Sequence, residues 1–220
     1  TLLRQTEKPL VYFDWQLDFP EVLNPNVVEE PGFDIVLANP PYMRVQQVQK
    51  AMPQFKAALE RKYTNAEGAW DLANVFFERA VQLVKSSGNC CFIFPHKFFN
   101  SDSASVFRDY LMAGAYVDRI LHFGANQVFN EADTYTCIAQ FSKAHNTGFQ
   151  FSKVPFKQGK GTYIDWFAPY LDSTDHFNVI DYSSLARASK VYGGNTWIFF
   201  ASPVEYATFE ELYSQRVRLE

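Results

Sequence analysis

Short apolar runs and helix-spaced apolar positions alternate along the first two thirds of the chain. Phe33 to Ala38, bounded by Gly32 and Pro40, reads as a strand buried on both faces, as in a central parallel sheet. Asp71 to Lys85 places Leu72, Val75, Phe76, Ala80, Leu83 and Val84 at helical spacing. Ser86-Ser87-Gly88 is expected to end that helix. Cys90 to Phe94 is a second apolar strand, stopped by Pro95. Ser101 to Ala113 predicts a helix capped by Ser101 or Ser103. Tyr116 to Phe123 and Thr134 to Phe141 predict two more strands, the second with Tyr135, Cys137, Ala139 and Phe141 on one face. This alternation predicts an α/β sheet with helical crossovers.

The flanks are less regular. Leu10 to Leu23 reads as a short strand and turn, and Asn24 to Gly32 as a polar connector. Val45 to Asn65 is mixed and polar, interrupted by Pro53, a composition common in mobile lids. Beyond Lys143 the texture changes. Phe149 to Phe156 and Gly161 to Phe167 read as short strands, and Asp172 to Ser189 as loop-rich. Trp197 to Phe200 and Pro203 to Gln215 read as a strand and a helix. A soft boundary near Ala144 to Gly148 divides the chain into 1–146 and an irregular α/β extension, 147–220.

Composition narrows the class. With 220 residues, 47% hydrophobic and 22 of them Phe, the chain can bury a sizeable core. No run approaches the roughly 20 apolar residues of a membrane helix, and Thr1 to Lys8 lacks a signal-peptide core. The absence of an initiator Met predicts a piece excised from a longer protein. Cys90, Cys91 and Cys137 make no disulfide framework or zinc spacing; they are expected to be core thiols of a cytoplasmic protein without a metal. A net charge of −4 argues against this segment gripping nucleic acid by itself.

The candidate chemistry lies at Asn39-Pro40-Pro41-Tyr42, directly after the first strand. A proline-stiffened turn there presents a carboxamide, backbone carbonyls and an aromatic ring to one point. That set suits a planar nitrogen, either a base's exocyclic amine or a side-chain amide. The bland reading is a tight turn built by Asn and Pro.

The motif after an apolar strand resembles that of adenosylmethionine-dependent amino methyltransferases. Phe13-Asp14-Trp15, Phe19-Pro20-Glu21-Val22 and Gly32-Phe33-Asp34-Ile35-Val36 before it extend the resemblance to adenine-N6 DNA methyltransferases of restriction–modification systems. Asp71-Leu72-Ala73, Gly88 to Pro95, and Val128-Phe129 through Thr134-Tyr135-Thr136 continue it. The closest likeness is to large enzymes that fuse restriction and modification in one polypeptide. The resemblance implies the C-terminal half of a Rossmann-like sheet and methyl transfer from S-adenosylmethionine to adenine N6. It implies double-stranded DNA as partner, with a fused nuclease and target-recognition domains as possible neighbours. Asn39 and the Pro40 carbonyl are then implied to hold the amine, and Tyr42 to stack on the flipped base. Pro41, Phe129 and Lys97 are implied substrate contacts, and Asn39 and Pro41 implied cofactor contacts.

Other residues carry two readings. Phe129 is a site aromatic or one more core Phe. His96-Lys97 touches substrate or phosphate, or is plain surface. His122 reads as a satisfied core or edge histidine, and Asp71 as a helix cap rather than a base. Arg44, Lys50, Lys56, Arg61 and Lys62 meet phosphates or form a solvated face. The 38 residues before Asn39 hold no glycine-rich turn for the cofactor, and Gly159-Lys160-Gly161 and Gly193-Gly194 come too late in the chain. The chain alone is therefore expected to be inactive. The rivals are a protein-glutamine methyltransferase and a non-enzymatic nucleic-acid-binding module.

Overall fold

A computed structural model describes residues 13–129, 134–156, 167–170, 173, 175–191, 195–199, 204–205, 207–209 and 211–212. Around Trp15 the chain forms two single-turn helices, α1 (Trp15–Asp18) and α2 (Pro20–Leu23), rather than the expected strand. The cause is local. The Asp14 carboxylate accepts from the N–H groups of Gln16 and Leu17, and Pro20 opens α2 where no N–H is needed.

β1 (Phe33–Ala38) spans the expected residues, but it is not the central strand buried on both faces that its apolar run suggested: among the described residues it pairs with β2 alone, and Ile35 and Leu37 are exposed. The polar stretch after the motif forms α3 (Val45–Ala51) and α4 (Pro53–Lys62), split at Pro53. Both are packed elements: Val45, Val48 and Leu59 join Trp70, Leu72 and Val75 in one apolar cluster. α5 (Leu72–Leu83) ends two residues early, and β2 (Val84–Pro95) starts at once. Gly88 lies inside that strand, where an added Cβ would meet the Phe33 and Asp34 carbonyl oxygens at 2.8 Å. It permits the irregular register by which β1 reaches Asn89. On α5, Leu72, Val75, Ala80 and Leu83 are buried as expected, but Phe77 (0% exposed) takes the place on the inward face expected for Phe76, which is 43% exposed. Buried Glu78 takes part of that face, accepting from the backbone N–H of Thr64 and Asn65 and the Asn65 amide.

α6 (Ser105–Gly114) starts after a 3-10 turn, without a side-chain cap from Ser101 or Ser103. β3 (Val117–His122), β4 (Thr136–Ser142), β5 (Gly148–Lys153) and β6 (Asn178–Asp181) complete one six-stranded sheet. α7 (Tyr182–Val191) follows β6, so Asp172 to Ser189 is more ordered than its composition suggests. The strand order is β1-β2-β4-β3-β5-β6. β1, β2, β3 and β5 run parallel, while β4 lies antiparallel between β2 and β3 and β6 antiparallel to β5. The sheet thus continues past the texture change at Ala144. The expected strand at 161–166 and both late glycine pairs lie outside the described residues; 204–205, 207–209 and 211–212 are helical.

One face of the sheet carries the main core. Phe77 of α5 and Phe107 of α6 meet Phe92, Phe94 and Phe141, with ring centroids 4.4 Å apart for Phe77–Phe141. Burying such rings contributes roughly 1.5–3 kcal/mol each. Cys90 and Cys137 are buried and Cys91 is half-buried; all three are free. The result is a firm platform with every parallel strand ending at the same edge.

Candidate functional site

The site begins where β1 runs out of partners. Its ladder with β2 ends at Ala38 opposite Phe92. Pro40 and Pro41 have no N–H to continue it. The carbonyl of Ile93, one residue further along β2, is taken instead by the Tyr42 hydroxyl, which donates to it at 3.1 Å. That bond folds the loop back over the end of β2. Burial, with Cys137 adding, pushes the Tyr42 phenol up to about 12, so it stays a donor at neutral pH. Pro40 is buried, Tyr42 half-buried, and Asn39 and Pro41 are exposed. Met43 N–H donates to the Pro41 carbonyl, whereas among the described residues neither the Pro40 carbonyl nor the Asn39 carboxamide has a hydrogen-bond partner.

The next residues are pinned to the start of α5. Val45 N–H donates to Trp70 O at 2.9 Å and Leu72 N–H to Met43 O at 2.8 Å, flanking an antiparallel bridge between Arg44 and Asp71. Such a flanked pair holds its side chains close together. Asp71 occupies the N-cap position, but its side chain makes no cap bond. The capping role expected for it is therefore corrected: burial raises its pKa, opposed by Arg44 and Lys97. Arg44, Asp71 and Lys97 come together from three separate segments beside the motif.

The loop after β2 supplies His96 and Lys97. The His96 N–H donates to the Tyr135 carbonyl at 3.0 Å. Its ring lies against those of His122 and Tyr135, with centroids 4.8 and 5.7 Å away. Lys97 is exposed. Phe129 is half-buried in the turn after β3, and makes no ring contact with Tyr42 among the described residues. Sequence reasoning missed the brace beneath this loop. Arg108 of α6 is 2% exposed, and donates to the carbonyls of Phe98, Ser101 and Asn195 and to the Asn195 side chain. A lone arginine in an amphipathic helix carries no sequence signal of that role.

Asn39 and Pro41 are exposed at the open side of β1, which has β2 as its one strand partner among the described residues. A glycine cradle is not built by this part. Between residues 13 and 38 the glycine is Gly32, and a Cβ there would lie 2.5 Å from the Lys85 nitrogen.

Parallel β1 and β2, antiparallel β4 inserted before β3, and a proline-locked corner at the exit of β1 define an S-adenosylmethionine-dependent methyltransferase type of sheet. The methyltransferase subunit of a type I restriction–modification system from Streptococcus thermophilus shares this fold, with TM-score 0.52 and 18% identity over 75% of this chain and 37% of that one. Residues 3–129 match the Eco57I restriction-modification methylase family, and the chain belongs to that family. It is 31% identical over 132 residues to the Type II restriction enzyme and methyltransferase RM.Eco57I of Escherichia coli, covering 60% of this chain and 13% of that protein. It is 22% identical over 189 residues to the Type II methyltransferase M.AccI of Acinetobacter calcoaceticus, covering 82% of this chain and 34% of that protein. The chain therefore spans a minor part of the length of these relatives.

Proposed function

We propose that this chain forms the amine-holding half of a site-specific DNA methyltransferase acting on adenine N6 within a restriction–modification enzyme of the cytoplasm. One observation carries the reading: an exposed Asn39 carboxamide and a partnerless Pro40 carbonyl stand side by side at the carboxyl end of β1. Two neutral acceptors so placed suit the two N–H bonds of an amino group. Asn39 Oδ1 accepts one and the Pro40 carbonyl the other, turning the nitrogen lone pair out of the ring plane. S-adenosylmethionine, when bound, supplies an electrophilic methyl on sulfur. Asn39 and Pro41 would line its side of the corner, while the remainder of its pocket belongs to chain outside these residues. Catalysis by this corner is positioning, worth large factors when reacting atoms are held in line. The proline ring fixes the acceptors in advance, and Tyr42 offers a stacking face whose value, about 1–3 kcal/mol, offsets extrusion of the base. Lys97 and Phe129 are proposed to contact the same nucleotide. Double-stranded DNA is the proposed partner, with nuclease and target-recognition domains elsewhere in the enzyme.

The test is transfer of tritiated methyl from S-adenosylmethionine to duplex DNA, measured in the full-length enzyme that carries this chain, beside a glutamine-containing peptide as competing acceptor. DNA labelling at adenine N6 is expected, and Asn39→Ala should lower the rate about 100-fold with an unchanged circular dichroism spectrum. Labelling of the peptide alone, or an Asn39→Ala enzyme as active as the wild type, overturns the reading.

A further inference from the structure

His96 opens the loop after β2 and His122 closes β3, with β4 running between them. Nε2 of His122 lies 2.9 Å from Nδ1 of His96, and the rings are 23° from parallel. Among the described residues, Nδ1 of His122 is buried without a partner. Nε2 of His96 is neither buried in that way nor bonded to any described residue.

Two neutral arrangements satisfy the N–H···N bond. If His96 donates, His122 carries its proton on Nδ1, where a buried N–H meets no acceptor. If His122 donates from Nε2, its Nδ1 keeps only a lone pair, and His96 must carry its proton on Nε2. Buried donors without acceptors are the rarer and costlier fault, so the second arrangement prevails. Charged arrangements are disfavoured. Burial holds both imidazoles below their ordinary range, and Lys153 adds to the effect on each. The outward N–H of His96 therefore stands at the carboxyl edge of the sheet in the field of two exposed ammonium groups, Lys97 and Lys153. The half-exposed Tyr135 ring stacks beside it. A neutral donor between cations is matched by an anionic oxygen.

We propose that His122 is a positioning residue that fixes His96 as its Nε2–H tautomer, and that this N–H binds a phosphodiester oxygen of the nucleic acid. The ligand rests on the reading of the chain as part of a DNA-modifying enzyme; the tautomer does not. Long-range proton–nitrogen spectra of the 220-residue chain at neutral pH are expected to show both rings protonated at Nε2. A His96 ring protonated at Nδ1 overturns the proposal. Duplex binding by the full-length enzyme that carries this chain, read by fluorescence anisotropy, is expected to weaken about fivefold in His96→Ala and in His122→Phe, the loss of one neutral hydrogen bond. His122→Gln, which keeps an N–H donor, should restore wild-type affinity. The dependence of log affinity on log salt should be unchanged in His96→Ala, because a neutral donor releases no counterion. Equal affinities in all variants, or a salt slope reduced in His96→Ala, each overturn the phosphate role. Should His122→Phe fail to fold, the wild-type spectrum and His96→Ala still decide. Failure of methyl transfer with these results intact would instead overturn the proposed function.

Discussion

Among the described residues the Tyr42 side chain makes one hydrogen bond, from its hydroxyl to a carbonyl that β1 no longer reaches. Hydroxyl and ring therefore have separable effects. Tyr42→Phe keeps the stacking face and loses an anchor worth about 1 kcal/mol; Tyr42→Ala loses both. In the full-length enzyme kcat/KM for duplex DNA should fall about fivefold for Phe and about 100-fold for Ala, by steady-state methyl transfer. Equal losses would remove the ring from the site. The same residue shows what a sequence can disclose. Asn39 to Tyr42 are contiguous after an apolar run, so their grouping is readable before folding. The His96–His122 bond and the Arg44–Asp71 bridge join residues from separate segments, and neither partner is unusual alone. Pairings of that kind exist only once the sheet brings strand ends to one edge.

Between β2 and α6, the His96 to Ser101 segment is ordered from below by Arg108, whose guanidinium donates to neutral oxygens of Phe98, Ser101 and Asn195. Burial lowers its pKa, with Asp109 and Asp102 opposing. Arg108→Met fills similar volume but strands several carbonyls. Urea unfolding should show a loss of about 3 kcal/mol, and unchanged stability would deny the brace. Elements with a strong period were legible here: β1, α5 and the apolar half of β2 stand close to where their apolar spacing puts them. Where capping or packing overrode composition, the reading failed. Asp14 turns an aromatic stretch helical, and Ser-rich α7 is ordered by burying Leu185 and Ala188. The antiparallel placement of β4 at the centre is set by pairing, which order along the chain does not encode.

At the scale of the molecule, β1 is an edge strand with exposed apolar side chains. Ile35 and Leu37 are 65% and 74% exposed, and an apolar cleft of about 350 Å³ lined by Trp15, Val36, Phe55 and Phe76 opens beside it. An unpaired edge with apolar side chains is a template for association. The 220-residue chain on its own should therefore self-associate with concentration in sedimentation velocity runs, and Leu37→Lys should return it toward monomer. A wild-type chain that sediments as a monomer at all concentrations would exclude this. The inserted position of β4 has a different consequence, one of timing. β2 and β3 are synthesised before β4 yet do not pair with each other; each waits for Thr136–Ser142 to join them. On the ribosome the two halves of the platform stay unsealed until that strand emerges. Folding of the central core is thus a late, non-local event, and a nascent chain halted before Thr136 carries two open edges where the finished sheet has a seam.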